Sequence, residues 1–380
     1  MKKVLVIFGT RPEAIKMAPV VKILEQSEAF QVVTVVTAQH RQMLDQVLDL
    51  FMIKPSYDLD IMRQNQTLSE ITTRVLLGLQ PVLEREKPNL VLVHGDTTTT
   101  LAGSLATYYQ RIPVGHVEAG LRTFNKYSPY PEELNRKLTG AIAELHFAPT
   151  VVARDNLLRE GAAPETIVVT GNTVIDALLE IVRPTYRFDA DLLNRIDFFR
   201  RKALLVTAHR RENLGEPLRR IFSAVKEIVV ANPDVEAVFP VHLNPQVREM
   251  AEAILGNQER VHLIQPLDYQ PFAQLMQNSY LVLTDSGGIQ EEAPALGKPV
   301  LVLRDNTERP EAITAGTAQL VGTDRESIIM ATNALLRDRG AYLKMANAVN
   351  PYGDGQAAHR IHQALLRYFG LSDQPVADFA

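Results

Sequence analysis

YLVLTDSGGIQEEAPALGKPVLVLR (280–304) decides how this chain folds. The runs YLVLTD (280–285) and PVLVLR (299–304) are apolar on consecutive residues rather than on alternate ones. That is the pattern of strands buried on both faces of a parallel sheet. Between them Ser286-Gly287-Gly288 forms a turn, and IQEEAPALG (289–297) reads as a short helix. Strand, helix, strand is the repeating unit of a doubly wound α/β sheet. Two adjacent glycines remove side chains where a backbone must approach a ligand. The free N–H groups and dipole of the helix after them favour an anion such as a phosphate. A tight turn with a serine cap uses the same residues. Glu291 and Glu292, expected in the first turn, could compensate the helix dipole or hold a diol.

The same kind of run recurs on either side. KVLVIF (3–8), QVVTVVT (31–37), NLVLVHG (89–95), IPVGHVE (112–118), ELHFAP (144–149) and TIVVTG (166–171) make one set. ALLVTAH (203–209), VEAVFP (235–240), VHLIQP (261–266) and the two runs quoted first make another. Helical spacing separates them, as in Ile15 to Leu24 and Leu218 to Val230. The charged stretch 183–202 has weak strand character. The reading is two doubly wound lobes, 1–172 and 173–356, with the boundary near Gly171 to Pro184, a helix over 357–370 and a loose tail over 371–380. Arg-Pro-Glu-Ala-Ile, at 11–15 and again at 309–313, reads as two helix starts with proline in the first turn.

Composition narrows the function classes. A chain of 380 residues suits two domains, or three. Its 40 basic and 44 acidic residues leave a net charge of −4, with no basic excess for nucleic acid or an anionic membrane. Absence of cysteine excludes disulfides, a thiol nucleophile and thiolate metal sites, and fits a cytoplasmic setting. No stretch approaches the ~18 apolar residues of a membrane span, and Val4 to Phe8 is too short for a signal-peptide core.

Ligands of open α/β sheets bind beyond the carboxyl ends of the strands. The residues at those ends are polar: Gly9-Thr10-Arg11, His94-Gly95-Asp96, His116-Val117-Glu118, His209-Arg210-Arg211-Glu212, His242-Leu243-Asn244 and Asp285-Ser286. One histidine at a strand end is more often structural than functional. His94, His116, His146, His209 and His242 in company with Asp, Glu and Arg point to a shared site. Asp96 could still cap the next helix, and Glu118 and Glu132 could be solvated loop acids. The chain lacks Gly-x-Gly-x-x-Gly, the Gly-Lys-Ser/Thr loop, His-Glu-x-x-His and Gly-x-Ser-x-Gly, which disfavours dinucleotide, Walker-type, zinc-protease and hydrolase readings.

GTRPEAIKMAPV (9–20), TAQHRQMLDQVL (37–48), VHGDTTTTLAGSLA (93–106), GHVEAGLRT (115–123), YPEELNR (130–136), TAHRREN (207–213), PVHLNP (240–245), LTDSGGIQEEAPALGKPVLVLRDNTERPE (283–311) and NPYGDG (350–355) succeed one another along the chain. As a set they resemble the non-hydrolysing UDP-N-acetylglucosamine 2-epimerases of bacteria. The resemblance implies a GT-B fold of two Rossmann-like lobes with the active site in the cleft between them, a homodimer, and a final helix that returns to the first lobe. It implies interconversion of UDP-N-acetylglucosamine and UDP-N-acetylmannosamine by elimination of UDP to 2-acetamidoglucal and re-addition, with no cofactor and no metal. Asp96, Glu118, Glu132 and His209 match the family's catalytic positions, the carboxylates serving the sugar and His209 the leaving phosphate. Which carboxylate removes and which returns the C2 proton is left open.

Arg11, Lys16, Arg210 and Arg309 are implied to contact nucleotide and sugar, Ser286, Gly287 and Gly288 the phosphates, Glu292 the ribose and Phe272 the uracil. Gln39, His40, Gln42, Gln66 and His242 resemble a second, activating site for UDP-N-acetylglucosamine. Asn65 there replaces an arginine, and Leu267 replaces a glutamine that some members place near the base. Rival readings are a GT-B glycosyltransferase, a hydrolysing epimerase and a catalytically silent nucleotide-sugar sensor.

Overall fold

The computed structural model describes residues 1–38, 41–63 and 65–379, without the side chains of Arg41 and Gln42. Gln39 and His40, expected at the activating site, lie outside the described residues, as does the side chain of Gln42. The chain forms two compact units: Met1–Leu179 with Tyr352–Ala380, and Glu180–Pro351.

The first unit holds β1 (Lys2–Phe8), β2 (Phe30–Val36), β3 (Tyr57–Asp58), β4 (Leu90–His94), β5 (Val114–Val117), β6 (Leu145–Ala148) and β7 (Ile167–Val169). They lie in the order β3-β2-β1-β4-β5-β6-β7, every pair parallel. The second unit holds β8 (Lys202–Thr207), β9 (Val235–Pro240), β10 (Val261–Ile264), β11 (Leu281–Thr284), β12 (Val300–Val302) and β13 (Ala318–Leu320). Their order is β10-β9-β8-β11-β12-β13, again all parallel. In each sheet the winding reverses once, between β1 and β4 and between β8 and β11, and ligands of such sheets bind at that switch point.

Each apolar run picked out in the sequence forms a strand. β3 and β13 give no such signal because they are sheet edges of two and three residues, partly open to solvent. The helix starts expected at the repeated Arg-Pro-Glu-Ala-Ile segments form as Arg11–Glu25 and Pro310–Ala315. Val4 to Phe8 on β1 and Leu281 to Leu283 on β11 are fully buried. Each such side chain contributes roughly 1.5–3 kcal/mol by leaving water.

Two expectations about boundaries change. Residues 173–179 belong to the first unit rather than the second. The helix Thr173–Ile181 buries Val174, Ile175 and Leu178, and its Asp176 accepts the N–H groups of Ala357 (3.2 Å) and Ala358 (2.8 Å). That carboxylate caps the helix Ala357–Tyr368, which packs on the helix Arg11–Glu25 through buried Ile361 and Leu365. The tail after Gly370 is anchored at its end, not loose. Phe379 N–H donates to Val169 O at 2.7 Å, Asp378 accepts from Val169 N–H at 2.9 Å, and the Phe379 side chain is buried. The open edge of β7 offers the unpaired backbone groups that draw it in. Among the described residues no helix is long and apolar enough to cross a membrane.

Burial raises the Asp176 carboxyl to about 6, against the pull of the backbone N–H groups it accepts. A carboxyl raised on folding stabilises fully below its unfolded value near 3.8, and that contribution is lost as pH rises through about 6. Asp176→Asn should therefore gain stability relative to the parent between pH 4 and pH 7, by of the order of 2 kcal/mol. Melting temperatures across that range check this; a difference that stays flat with pH would contradict it.

Candidate functional site

In the first unit the polar residues gather beyond β1, β4 and β5. Glu13, on the first turn of its helix, accepts the N–H groups of Gly9 (3.0 Å) and Thr10 (2.7 Å) and the hydroxyls of Thr97 (2.6 Å) and Thr100 (3.1 Å). It thereby ties the loop after β1 to the loop after β4. Thr97, not Asp96, caps the helix Thr98–Tyr109, accepting from Thr100 N–H at 3.1 Å. The capping role weighed for Asp96 is thus taken, and its side chain pairs instead with the Arg136 guanidinium.

Glu118 stands directly after β5 with φ of 62°, a left-handed conformation that costs a non-glycine residue about 1–2 kcal/mol. Its carboxylate is buried rather than solvated, and it pairs with the Lys16 ammonium. Asn172 Nδ2 donates to Glu118 Oε2 at 2.9 Å, and His94 Nε2 lies 3.8 Å from the same oxygen. Lys16, one of the residues expected to contact the ligand, also pairs with Glu118. Glu132 opens the helix Glu132–Ile142, half-buried, and its charge acts on Asp96. Arg11 begins its own helix and is half-exposed.

The two carboxylates are driven in opposite directions. Burial alone would raise Glu118, but the Lys16 ammonium, with His94, overrides it and holds the group well below the usual carboxylate range. Burial pushes Asp96 up; Arg136 opposes this, and the nearby Glu118 and Glu132 charges add to the rise. Burial lowers His94 to about 4, His116 to about 3 and His146 to about 4, so all three are neutral at pH 7. His116 donates from Nε2 to Gly95 O at 2.7 Å and so supports the turn before Asp96. That is the structural role a strand-end histidine usually has.

The second unit repeats the device of a buried carboxylate at the switch point. Asp285 Oδ2 accepts the N–H groups of His209 and Arg210, both at 2.8 Å, and Asn213 Nδ2 at 3.0 Å. Its Oδ1 stands 3.5 Å from His209 Nδ1. Burial lowers the His209 pKa, with the Asp285 charge pulling it back up. The His242 ring stacks on His209 at 4.9 Å and 6°. Gln66, the other described residue of the expected activating site, lies in the first unit and accepts from Arg74 Nη1 at 3.3 Å.

The helix after β11 begins at Gly287, so Ser286 is its N-cap and the glycines form its first turn. Glu291 and Glu292 consequently sit in the second turn, which corrects the first-turn placement expected for them. Glu291 pairs with Arg309, and Glu292 accepts from Tyr269 OH at 3.2 Å. Phe272 lies half-buried on the helix Tyr269–Asn278. A Cβ added at Gly287 would stand 3.7 Å from Arg210 Nη2 and 4.0 Å from Arg309 Cζ, and one at Gly288 would stand 3.6 Å from Glu292 Oε1. Those are ordinary contacts, and neither glycine has a left-handed backbone. The protein's own packing does not require glycine here; an anion seated on the helix start between two guanidinium groups would.

Arg136, Asn172 and Asp285 are site residues that the sequence motifs leave without a role. Arg136 stands one helical turn after Glu132, which is a usable signal. Asn172 stands just beyond the TIVVTG run, where the same strand-end rule applies. Among the described residues no cluster of His, Asp or Glu could hold a metal ion.

Two parallel Rossmann-type sheets, carboxylates beyond the first and a glycine turn opening a helix on the second define a two-lobed α/β enzyme of the GT-B-like class. The family model described as UDP-N-acetylglucosamine 2-epimerase matches residues 22–366. The UDP-N-acetylglucosamine 2-epimerase of Bacillus subtilis is 57% identical over 374 residues, covering 98% of this chain and 97% of that one. A crystal structure of a putative UDP-N-acetylglucosamine 2-epimerase from Listeria monocytogenes superposes with a TM-score of 0.95 at 56% identity, covering 100% of both chains. The Neisseria meningitidis UDP-GlcNAc 2-epimerase bound to UDP-GlcNAc gives a TM-score of 0.84 at 52% identity, covering 96% of this chain and 100% of that one. The chain belongs to the UDP-N-acetylglucosamine 2-epimerase family.

Gly287→Ala separates packing from binding. Alanine is the better helix former by up to about 1 kcal/mol, so the melting temperature should hold or rise by a few degrees. Calorimetric affinity for inorganic pyrophosphate should fall at least about tenfold. Unchanged pyrophosphate binding, or a marked loss of stability, would show that the glycine serves the fold.

Proposed function

We propose that this chain interconverts UDP-N-acetylglucosamine and UDP-N-acetylmannosamine by eliminating UDP and adding it back with inversion at C2. The placement of two carboxyl groups beyond the adjacent strands β4 and β5, Asp96 paired with Arg136 and Glu118 with Lys16, carries the mechanistic reading, because two such groups can serve as an acid–base pair. The epimerase bound to UDP-GlcNAc, over half identical to this chain, supports the substrate.

The C2 hydrogen has no neighbouring carbonyl and is very weakly acidic. Departure of UDP with the C1–O electron pair builds positive charge at C1, which acidifies it. Glu118 takes the proton, and the C2–H electrons become the C1=C2 bond of 2-acetamidoglucal. Asp96 then gives a proton to the opposite face of C2 while the UDP oxygen returns to C1. In the reverse direction the two exchange roles. No electrons leave the substrate, so no nicotinamide is needed.

Arg136 sets the Asp96 carboxyl, and Glu132 adds negative charge that favours its protonated form. Ser286, Gly287 and Gly288 hold the diphosphate at the helix start, with Arg210 and Arg309 flanking it. His209, whose backbone N–H is held by Asp285, donates to the departing phosphate and stabilises the charge that develops there. Arg11 and Lys16 serve the sugar end, Glu292 the ribose and Phe272 the base. We place the reaction in the cytoplasm, which a cysteine-free chain suits. Activation by a second UDP-N-acetylglucosamine would use Gln66 and His242, the latter through its stack on His209.

Incubation with UDP-N-acetylglucosamine in deuterated water, without acceptor or NAD, tests this by NMR. Deuterium should enter at C2 as the manno isomer grows with UDP attached. No exchange at saturating substrate would sink the proposal, and free N-acetylmannosamine would mark a hydrolase. Glu118→Gln and Asp96→Asn should each lower turnover by roughly 10²–10⁴-fold while UDP binding persists. Near-parental turnover in both would remove these residues from the chemistry.

A further inference from the structure

The two oxygens of Glu118 have different surroundings. Oε2 meets the Lys16 ammonium, Asn172 Nδ2 at 2.9 Å and His94 Nε2 at 3.8 Å. Oε1 has no donor among the described residues. Over it lies Gly95: a Cβ there would stand 3.7 Å from Oε1, and the glycine leaves that space open.

Asn172 is itself over-determined. It is buried, and its Oδ1 accepts Val174 N–H at 3.1 Å, which fixes the amide so that Nδ2 faces Glu118. Its backbone N–H donates to Tyr352 O at 2.6 Å, where the chain re-enters the first unit. Gly353 then passes so close, with φ of 150°, that an added Cβ would lie 3.4 Å from both N and O of Asn172 and 3.2 Å from Ile175 Cγ1.

We propose that Asn172 is a positioning residue for Glu118: its amide holds Oε2, alongside Lys16, and so reserves Oε1 for the C2 proton. This rests on the assignment of Glu118 to proton transfer at C2. An amide suits the task because it can donate to either state of the carboxyl. When Oε1 takes the proton, Oε2 remains a carbonyl acceptor, so the bond to Asn172 survives the whole cycle. A carboxylate at 172 would instead face Glu118 with like charge and lift its pKa.

The test is Asn172→Asp, with full pH profiles. Relative to the parent, kcat should fall about 100-fold. The acid limb of kcat/KM should move up by at least about one pH unit, with KM changed by less than about threefold. A folded variant with kcat within about twofold of the parent and an unmoved acid limb would overturn the proposal. Gly353→Ala is the second arm, for it displaces Asn172 without touching Glu118. It should lower kcat several-fold at unchanged UDP affinity, and if Asn172→Asp does not fold, an unaltered kcat in Gly353→Ala overturns the proposal instead. Failure of the underlying assignment looks different: Glu118→Gln would itself keep near-parental turnover and deuterium entry at C2.

Discussion

A buried carboxylate ties together the two loops at the switch point of each sheet, and the placement of the site depends on it. Glu13 binds the loop after β1 to the loop after β4; Asp285 binds the loop after β11 to the loop after β8. Removing either would strand backbone N–H groups in a buried setting, at about 1–3 kcal/mol for each one left unsatisfied. Strands buried on both faces must end somewhere, and at these ends the backbone donors turn inward. A carboxylate accepts from several donors at once and so fixes two loops in one register. Asp96 and Glu118 stand on one such frame, and His209 and the glycine turn on the other.

Burial then tunes the groups that this frame presents. Left alone, it would neutralise every carboxyl and imidazole near the strand ends. His94, His116 and His146 do become neutral, and His116 holds the turn at Gly95. Glu118 escapes because an ammonium and an amide accompany it, whereas Asp96 is driven towards its protonated form despite a guanidinium. The contrast arises from partners contributed by separate elements: Lys16 from the helix after β1, Asn172 from the segment after β7, and Arg136 from the helix before β6.

Much of this is legible in the sequence, and the parts that are not share a cause. Consecutive apolar runs give the central strands directly, because a strand covered on both faces has no polar side to write. β3 and β13 escape notice because an edge strand of two or three residues needs no such run. The anchoring of the tail is hidden because Phe379 and Asp378 gain their meaning only from the open edge of β7, over two hundred residues away in sequence. Glu291 and Glu292 stand one turn later than the local pattern suggests because the glycines themselves open the helix.

The sequence by itself determined the class of fold, the order of its strands along the chain, the glycine turn after β11 and the identity of the candidate acids, because each is written in residues near one another. Tertiary structure decided that Lys16 faces Glu118 rather than solvent, that Asn172 donates to that carboxylate, and that Asp96 is paired while Thr97 caps. Ionisation depends on distances of a few ångströms between groups far apart in the chain. Local pattern cannot encode such distances, and packing against the sheet sets them.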